Sequence, residues 1–220
     1  MPHPYKTLLL VGLCATLHPA HGADSCAQAA KTSAIASAPA VKYTKVANNG
    51  TELPAAAAPG SAASDWACTR DNASGLTWEV KTSAGLRSRD HTYTWNSGKG
   101  QPGDAIGADT CDGTLAAYGQ QCNTAHYVAA VNAAGLCGHK DWRLPTLQEL
   151  QSLADFSTPH EPGEPAIDAA YFPNTQMKWT WSATPFAGQT SGAWGVRFQY
   201  GFPYADAKTY ANAVRLVRGQ

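Results

Sequence analysis

Cys137-Gly138-His139-Lys140-Asp141-Trp142-Arg143-Leu144-Pro145-Thr146-Leu147-Gln148-Glu149-Leu150 contains a complete helix start. Thr146 is placed as an N-cap, its hydroxyl accepting from a first-turn backbone N–H that otherwise lacks a partner. Glu149 can reach back to the Thr146 N–H and close a capping box, and it sets negative charge at the positive end of the helix dipole. Pro145 and Leu150 stand at the two staple positions that fix the angle of chain entry. Asp141, Trp142 and Arg143 crowd in just ahead of the helix, more densely than a helix start requires. Arg143 is expected to pair with a carboxylate or with backbone carbonyls inside the domain, a structural role.

Outward from this run, the helix is expected from Leu147 to about Asp155, with Leu147, Leu150 and Leu153 as its buried stripe. An earlier helix starts at Asn123 or Thr124, runs through Asn132 with Tyr127, Val128 and Val131 on one side, and meets Gly135 as its stop. Strands are expected at 41–46, 76–80, 178–182, 193–198 and 213–218. Asn48-Asn49-Gly50-Thr51, Asp71-Asn72-Ala73-Ser74-Gly75 and Gly201-Phe202-Pro203 read as turns. Helices early and strands late indicate an α+β domain of two helices and a small, mostly antiparallel sheet with long loops.

The beginning of the chain reads as an export signal. Lys6 precedes the apolar run Leu8 to Ala15, and Ala20-His21-Gly22 offers small residues where a signal peptidase cuts, so residues 1–22 are expected to be removed. Cys14 does not read as a lipid anchor, because bulky Leu13 sits where that processing wants a small residue. No apolar stretch is long enough to span a bilayer. Residues 23–40, rich in Ala, Ser and Lys, read as a flexible leader, and residues 41–220 as the domain, with all seven tryptophans after Asp65. The protein is expected in the periplasm, secreted, or at the cell surface.

Loss of Lys6 leaves 15 basic against 16 acidic residues in a chain of formal charge zero, with no basic stripe to collect phosphates. Nucleic acid is therefore excluded as a partner. The five cysteines that survive signal removal contain no CxxC pair, and disulfides are the default in an oxidising compartment. Cys111 and Cys122 flank a short two-glycine loop whose closure stabilises by about 2–3 kcal/mol in the chain-entropy model. Cys68 with Cys137 is the expected second bridge, leaving Cys26 in the leader unpaired, although spacing does not fix connectivity.

Five blocks in order carry a resemblance. They are Trp66-Ala67-Cys68-Thr69-Arg70-Asp71-Asn72-Ala73-Ser74-Gly75-Leu76-Thr77-Trp78-Glu79, Asp141-Trp142-Arg143-Leu144-Pro145-Thr146, Pro165-Ala166-Ile167-Asp168 with Tyr171-Phe172-Pro173, Trp179-Thr180-Trp181-Ser182, and Ala213-Val214-Arg215-Leu216-Val217-Arg218. Together they resemble the Lcl C-terminal-like domain, a domain of unknown function in bacterial exported proteins named for the end domain of a collagen-like adhesin. The likeness runs from about Val41 to the C-terminus and implies a C-type-lectin-like scaffold. Arg143-Leu144-Pro145-Thr146 with Glu149 is similar to a motif of formylglycine-generating enzymes on that scaffold. Members often carry a cysteine inside the last strand motif where this chain has Leu216, so the relatives' disulfide pattern does not transfer automatically.

Trp78, Trp142, Trp179 and Trp181 read as core and loop anchors. The scattered histidines His91, His126, His139 and His160 have no metal-ligand spacing. Asp104, Asp109 and Asp112 lie in a Gly-rich stretch and are oxygen ligands of the type that hold calcium, without EF-hand spacing; no other cofactor is expected. The stretch Phe198–Tyr210 has more aromatics than two strands can bury on one face, making Tyr200, Phe202, Tyr204 and Tyr210 candidate ligand-binding residues. The expected function is a non-catalytic recognition or adhesion module for glycan or for an envelope or host protein. One alternative is a structural part of an envelope or pilus-like assembly. The other is an enzyme of the formylglycine-generating type, whose chemistry needs two reactive cysteines near the C-terminus, whereas none lies beyond Cys137.

Overall fold

Alternation after Val41 becomes β1 (Tyr43–Ala47), which pairs antiparallel with β2 (Glu52–Leu53) on one side and β3 (Trp66–Asp71) on the other. The computed structural model describes residues 41–105, 122–157 and 163–219. The expected signal, the leader and Cys26 lie outside them, as do Asp109, Cys111 and Asp112. The β1–β2 turn needs glycine: Gly50 has φ +90°, and a Cβ there would lie 3.1 Å from the Cys137 carbonyl oxygen. β3 is central and buried on both faces from Trp66 to Thr69, which hides the alternation that marks a half-exposed strand. It pairs with β4 (Thr77–Glu79) through a turn that the Asp71 carboxylate holds, accepting from the Ala73 N–H at 2.9 Å and the Ser74 hydroxyl at 2.9 Å. β8 (Val217–Arg218) closes the sheet in the order β2-β1-β3-β4-β8.

α1 (Thr124–Ala134) starts on Asn123, whose side chain accepts from the His126 N–H at 2.9 Å, and ends on Gly135 in the left-handed region. Tyr127 and Val131 are buried as expected, while Val128 is half-exposed. α2 (Leu147–Gln151) is shorter than the expected Leu147–Asp155. Two competing sets of bonds stop it. The Ser152 hydroxyl donates back to the Glu149 carbonyl at 2.7 Å, and the Asp155 N–H is taken by the Ala166 carbonyl at 3.1 Å.

A second, three-stranded antiparallel sheet has the order β5-β6-β7, formed by β5 (Trp179–Pro185), β6 (Gly192–Arg197) and β7 (Phe202–Ala207). One α+β domain thus holds two antiparallel sheets instead of the single small one expected. The run 213–218 joins them. Ala213 exchanges hydrogen bonds with Trp179 and Trp181 of β5, Leu216 accepts from the Glu79 N–H, and only Val217–Arg218 pair with β4. A segment divided between two sheets cannot be one continuous strand of either, which is why the expected strand shrinks.

Two apolar clusters result. In one, Ala67, Tyr93, Trp95, Tyr127, Val131, Trp142 and Trp181 pack around α1; in the other, Tyr43, Trp78, Leu150, Phe172, Val196 and Val217 join α2 to both sheets. Cys68 and Cys137 form the expected disulfide, with Cα atoms 6.5 Å apart, inside the first cluster. Cys122 is also disulfide-bonded; its expected partner Cys111 lies outside the described residues. Among the described residues, no helix is long and apolar enough to cross a membrane.

Candidate ligand-binding surface

The Asp141–Leu150 motif is fully engaged inside the domain. The Thr146 hydroxyl accepts from the Glu149 N–H at 3.2 Å, and the Glu149 carboxylate accepts from the Thr146 N–H at 2.7 Å, so both halves of the capping box are present. Arg143 grips the same carboxylate bidentately, both contacts at 2.8 Å, and donates further to the Leu144 and Gly219 carbonyls. Asn132 brackets Trp142 through that residue's N–H and carbonyl, and the indole N–H donates to the Leu136 carbonyl. Asp141 accepts from Arg218 of β8 at 2.8 Å. The motif therefore ties α2 to the chain end. Arg143 and Leu144 also line a cleft of about 330 Å³ beside Trp95, Asn96 and Val128.

The Arg143 hydrogen bonds hold the Glu149 carboxyl below its ordinary range, with the Thr146 N–H adding to the effect. A depressed folded-state pKa means that the native state binds fewer protons than the unfolded chain. The stability it contributes is present above the unfolded value of 4.5 and is lost as pH falls through the lower folded value. Thermal melts between pH 7 and pH 3 are expected to show a smaller acid loss in Glu149→Gln than in the parent, with a lower plateau at pH 7. Equal slopes would show that the pair is not coupled to folding.

Asp104 closes its own turn, accepting from the Ser97 N–H and hydroxyl at 3.0 and 2.6 Å and from the Gln101 N–H at 2.9 Å. Its calcium partners from the sequence reading, Asp109 and Asp112, lie outside the described residues. Among the described residues, no three His, Cys, Asp or Glu side chains group closely enough to hold a metal.

The aromatic stretch has a definite architecture. The β6–β7 hairpin leaves Tyr200, Phe202 and Tyr204 exposed by 54, 64 and 56 %, and Phe156, from the segment after α2, adds a fourth ring at 63 %. Phe156 and Phe202 stack at 6.2 Å, and Tyr204 meets Trp179 at 4.7 Å. Trp179 is on β5 and Tyr204 is on β7, so these rings meet across the middle strand. They can do so because Gly195 presents no side chain between them, and a Cβ there would lie 2.5 Å from the Thr180 carbonyl oxygen. Trp179 also carries the Arg197 guanidinium, its cross-strand partner on β6, at 5.5 Å, and that group lies 5.6 Å from the Tyr200 ring. Tyr204, Trp179, Arg197 and Tyr200 thus form one ladder of ring and cation–π contacts. Trp179, read from sequence as an anchor, is its half-buried spine. Tyr210, 62 % exposed, stands apart in the turn beyond the opposite end of β7 and makes no ring contact with the others among the described residues.

β7 is the open edge of its sheet. Bonding of the Lys208 N–H to the Ser191 carbonyl sets the alternation that turns the backbone of residues 203, 205 and 207 outward. Pro203 has no N–H, and the Ala207 N–H is taken by the Asp206 carboxylate at 2.9 Å. The edge is thereby blunted against strand addition, leaving side chains to make contacts.

The sequence reading missed a buried ionic cluster. Glu79 accepts from Lys81 at 3.0 Å, from the Tyr127 hydroxyl, and from the Leu216 N–H at 2.9 Å, while Arg215 donates to the Glu79 carbonyl at 2.6 Å. All four ionisable side chains are buried. Burial lowers Lys81 against the opposing pull of Glu79, lowers Arg215 to about 10, and pushes Tyr127 well up. One signal was available: strand alternation through Thr77–Lys81 sends Trp78 and Val80 to one face and two charges to the other.

A family model, the Lcl C-terminal domain, matches residues 67–218, from the second residue of β3 to the last of β8. No curated protein and no solved structure matches the chain.

Proposed function

We propose that this chain, which belongs to the Lcl C-terminal domain family, is an exported, non-catalytic recognition or adhesion module that binds glycan or protein through the aromatic edge of its three-stranded sheet. It acts in the periplasm or at the cell surface. The observation that carries this reading is the ladder: Tyr200 and Tyr204, with Phe156 and Phe202 beside them, are more than half exposed on a framework that holds their rings in place. Large rings held still before contact lose little entropy on binding, so exposed aromatic area converts efficiently into affinity. The export signal read in residues 1–22 and the disulfide at Cys68–Cys137 support the compartment.

The test is a glycan array together with pull-downs from envelope and host-surface fractions, using the parent and Tyr200→Ala/Phe202→Ala/Tyr204→Ala. Loss of three clustered anchors is expected to weaken capture by about 100-fold with an unchanged circular dichroism spectrum. Parent-like capture by the triple variant sinks the assignment of this surface.

A further inference from the structure

We infer that the partner presented to this surface is a protein segment carrying an Asp or Glu among apolar side chains, and that Arg197 reads its carboxylate. The inference rests on the recognition role proposed above and names the chemistry of its ligand. Arg197 is half-buried, flanked by Trp179 at 5.5 Å and Tyr200 at 5.6 Å, and its Nε donates to the Met177 carbonyl at 3.5 Å. Its Nη1 and Nη2 groups have no carboxylate or carbonyl acceptor among the described residues. The contrast with Arg143, whose fork is filled by Glu149, is direct. A guanidinium held against two rings, with its terminal N–H groups free among the described residues, is preorganised for bidentate capture of a carboxylate.

The surroundings choose the class of carrier. Trp, Tyr, Phe, Met and Arg are the residues enriched at the centres of protein interfaces, and Trp179, Tyr200, Tyr204, Phe202, Met177 and Arg197 make up this patch. A sugar stacks on a free ring face, and the Trp179 indole already has the Tyr204 ring and the Arg197 guanidinium against it. One guanidinium in an apolar surround matches one carboxylate. It does not match a polyanion, which needs a row of cations. The blunted β7 edge assigns the contact to side chains, so the segment is not required to add as a strand.

The full chain, expressed for export, is applied to an array of randomised 15-residue peptides. The strongest binder is then resynthesised with each Asp or Glu changed to Asn or Gln. Expected are selection of Asp or Glu flanked by aliphatic or aromatic residues, and a loss of about tenfold or more both in the amidated peptide and in Arg197→Lys, which keeps the charge but not the fork. Raising salt is expected to weaken the parent more than Arg197→Gln. Selection of neutral or basic peptides, equal binding by Arg197→Lys, binding confined to a polyuronate control, or self-association of the chain through this face each overturns the inference. Tyr204→Ala separates the two levels. If it abolishes binding while Arg197→Lys does not, the surface stands and the carboxylate reading falls. If neither variant matters, both fall. Melting curves of each variant confirm that it is folded.

Discussion

Glu79→Gln is expected to cost about 3–5 kcal/mol, the range for breaking a buried ion pair by removing one partner. The carboxylate accepts from Lys81, the Tyr127 hydroxyl and the Leu216 N–H, so both of its oxygens are occupied. An amide has one acceptor oxygen, and its NH2 group must then face donors. It also strands positive charge, because Lys81 and Arg215 are both buried and, among the described residues, no other acidic side chain is bonded to either. Urea unfolding measures the loss directly. The pair Glu79→Gln/Lys81→Met is expected to recover at least about 1 kcal/mol of it, since contacting charges are strongly non-additive. The pH profile gives an independent check with a definite sign. Burial already lowers the folded-state pKa of Lys81 beneath its unfolded value of 10.5, and losing Glu79 lowers it further. Between the folded value and 10.5 the unfolded chain binds more protons than the native state, so stability rises with pH in that window. The variant is therefore expected to recover stability from pH 7 to pH 9.5 more steeply than the parent. Arg215, lowered by burial to about 10 in the parent against the pull of Glu79, moves the same way when Glu79 is lost, so the steeper recovery reports both buried cations, while Tyr127 titrates above this range. Parallel profiles would mean that neither cation is stranded.

What the sequence disclosed and what it concealed divide by range. The Thr146–Glu149 box, the Asn123 cap and the Gly135 stop depend on residues within one helical turn, and each is where local chemistry put it. The five ordered blocks that signalled the Lcl C-terminal domain also hold, in that the family match spans residues 67–218. Partner choice was the hidden part. Nothing near Ala213 says that its N–H will serve β5 while Val217 serves β4, and Arg215 reaches the Glu79 carbonyl across 136 residues. The aromatic surface shows the same limit. Trp179 and Trp181 point to the same side of one strand, yet Tyr93 receives the Trp181 indole N–H and that ring is buried, whereas the half-buried Trp179 ring meets Tyr204 and Arg197. The surplus of rings in Phe198–Tyr210 was legible. That Phe156 and Arg197 would join them and Tyr210 would not was decided by packing.

Replacing both Cys68 and Cys137 with Ala is expected to remove about 4 kcal/mol, the chain-entropy value for a closure of 69 residues, plus a smaller packing loss. Alanine avoids burying two new hydroxyls, so the double variant isolates the tie. Both sulfurs sit in the core with Trp95, Tyr127 and Trp142, and the bridge fastens the central strand β3 to the turn after α1. That turn is strained on its own account. Cys137 has φ 53°, a left-handed conformation costing a non-glycine residue about 1–2 kcal/mol, between Gly135 and Gly138, which are also left-handed. Without the covalent tie, the strain favours release of the segment that leads into Trp142 and the Arg143–Glu149 pair. The expected fall in melting temperature is about 8–16 °C by calorimetry for a domain of this size; a fall under about 3 °C would show that packing alone holds the turn. Burial also predicts the kinetics of reduction. Dithiothreitol reaches the bridge only through opening, so its rate is expected to level off at the opening rate as the reagent concentration rises. Material made in a reducing cytosol is expected to melt at or below the double-alanine variant, because Cys122 loses its bond as well, and to regain the parent's melting temperature on oxidation.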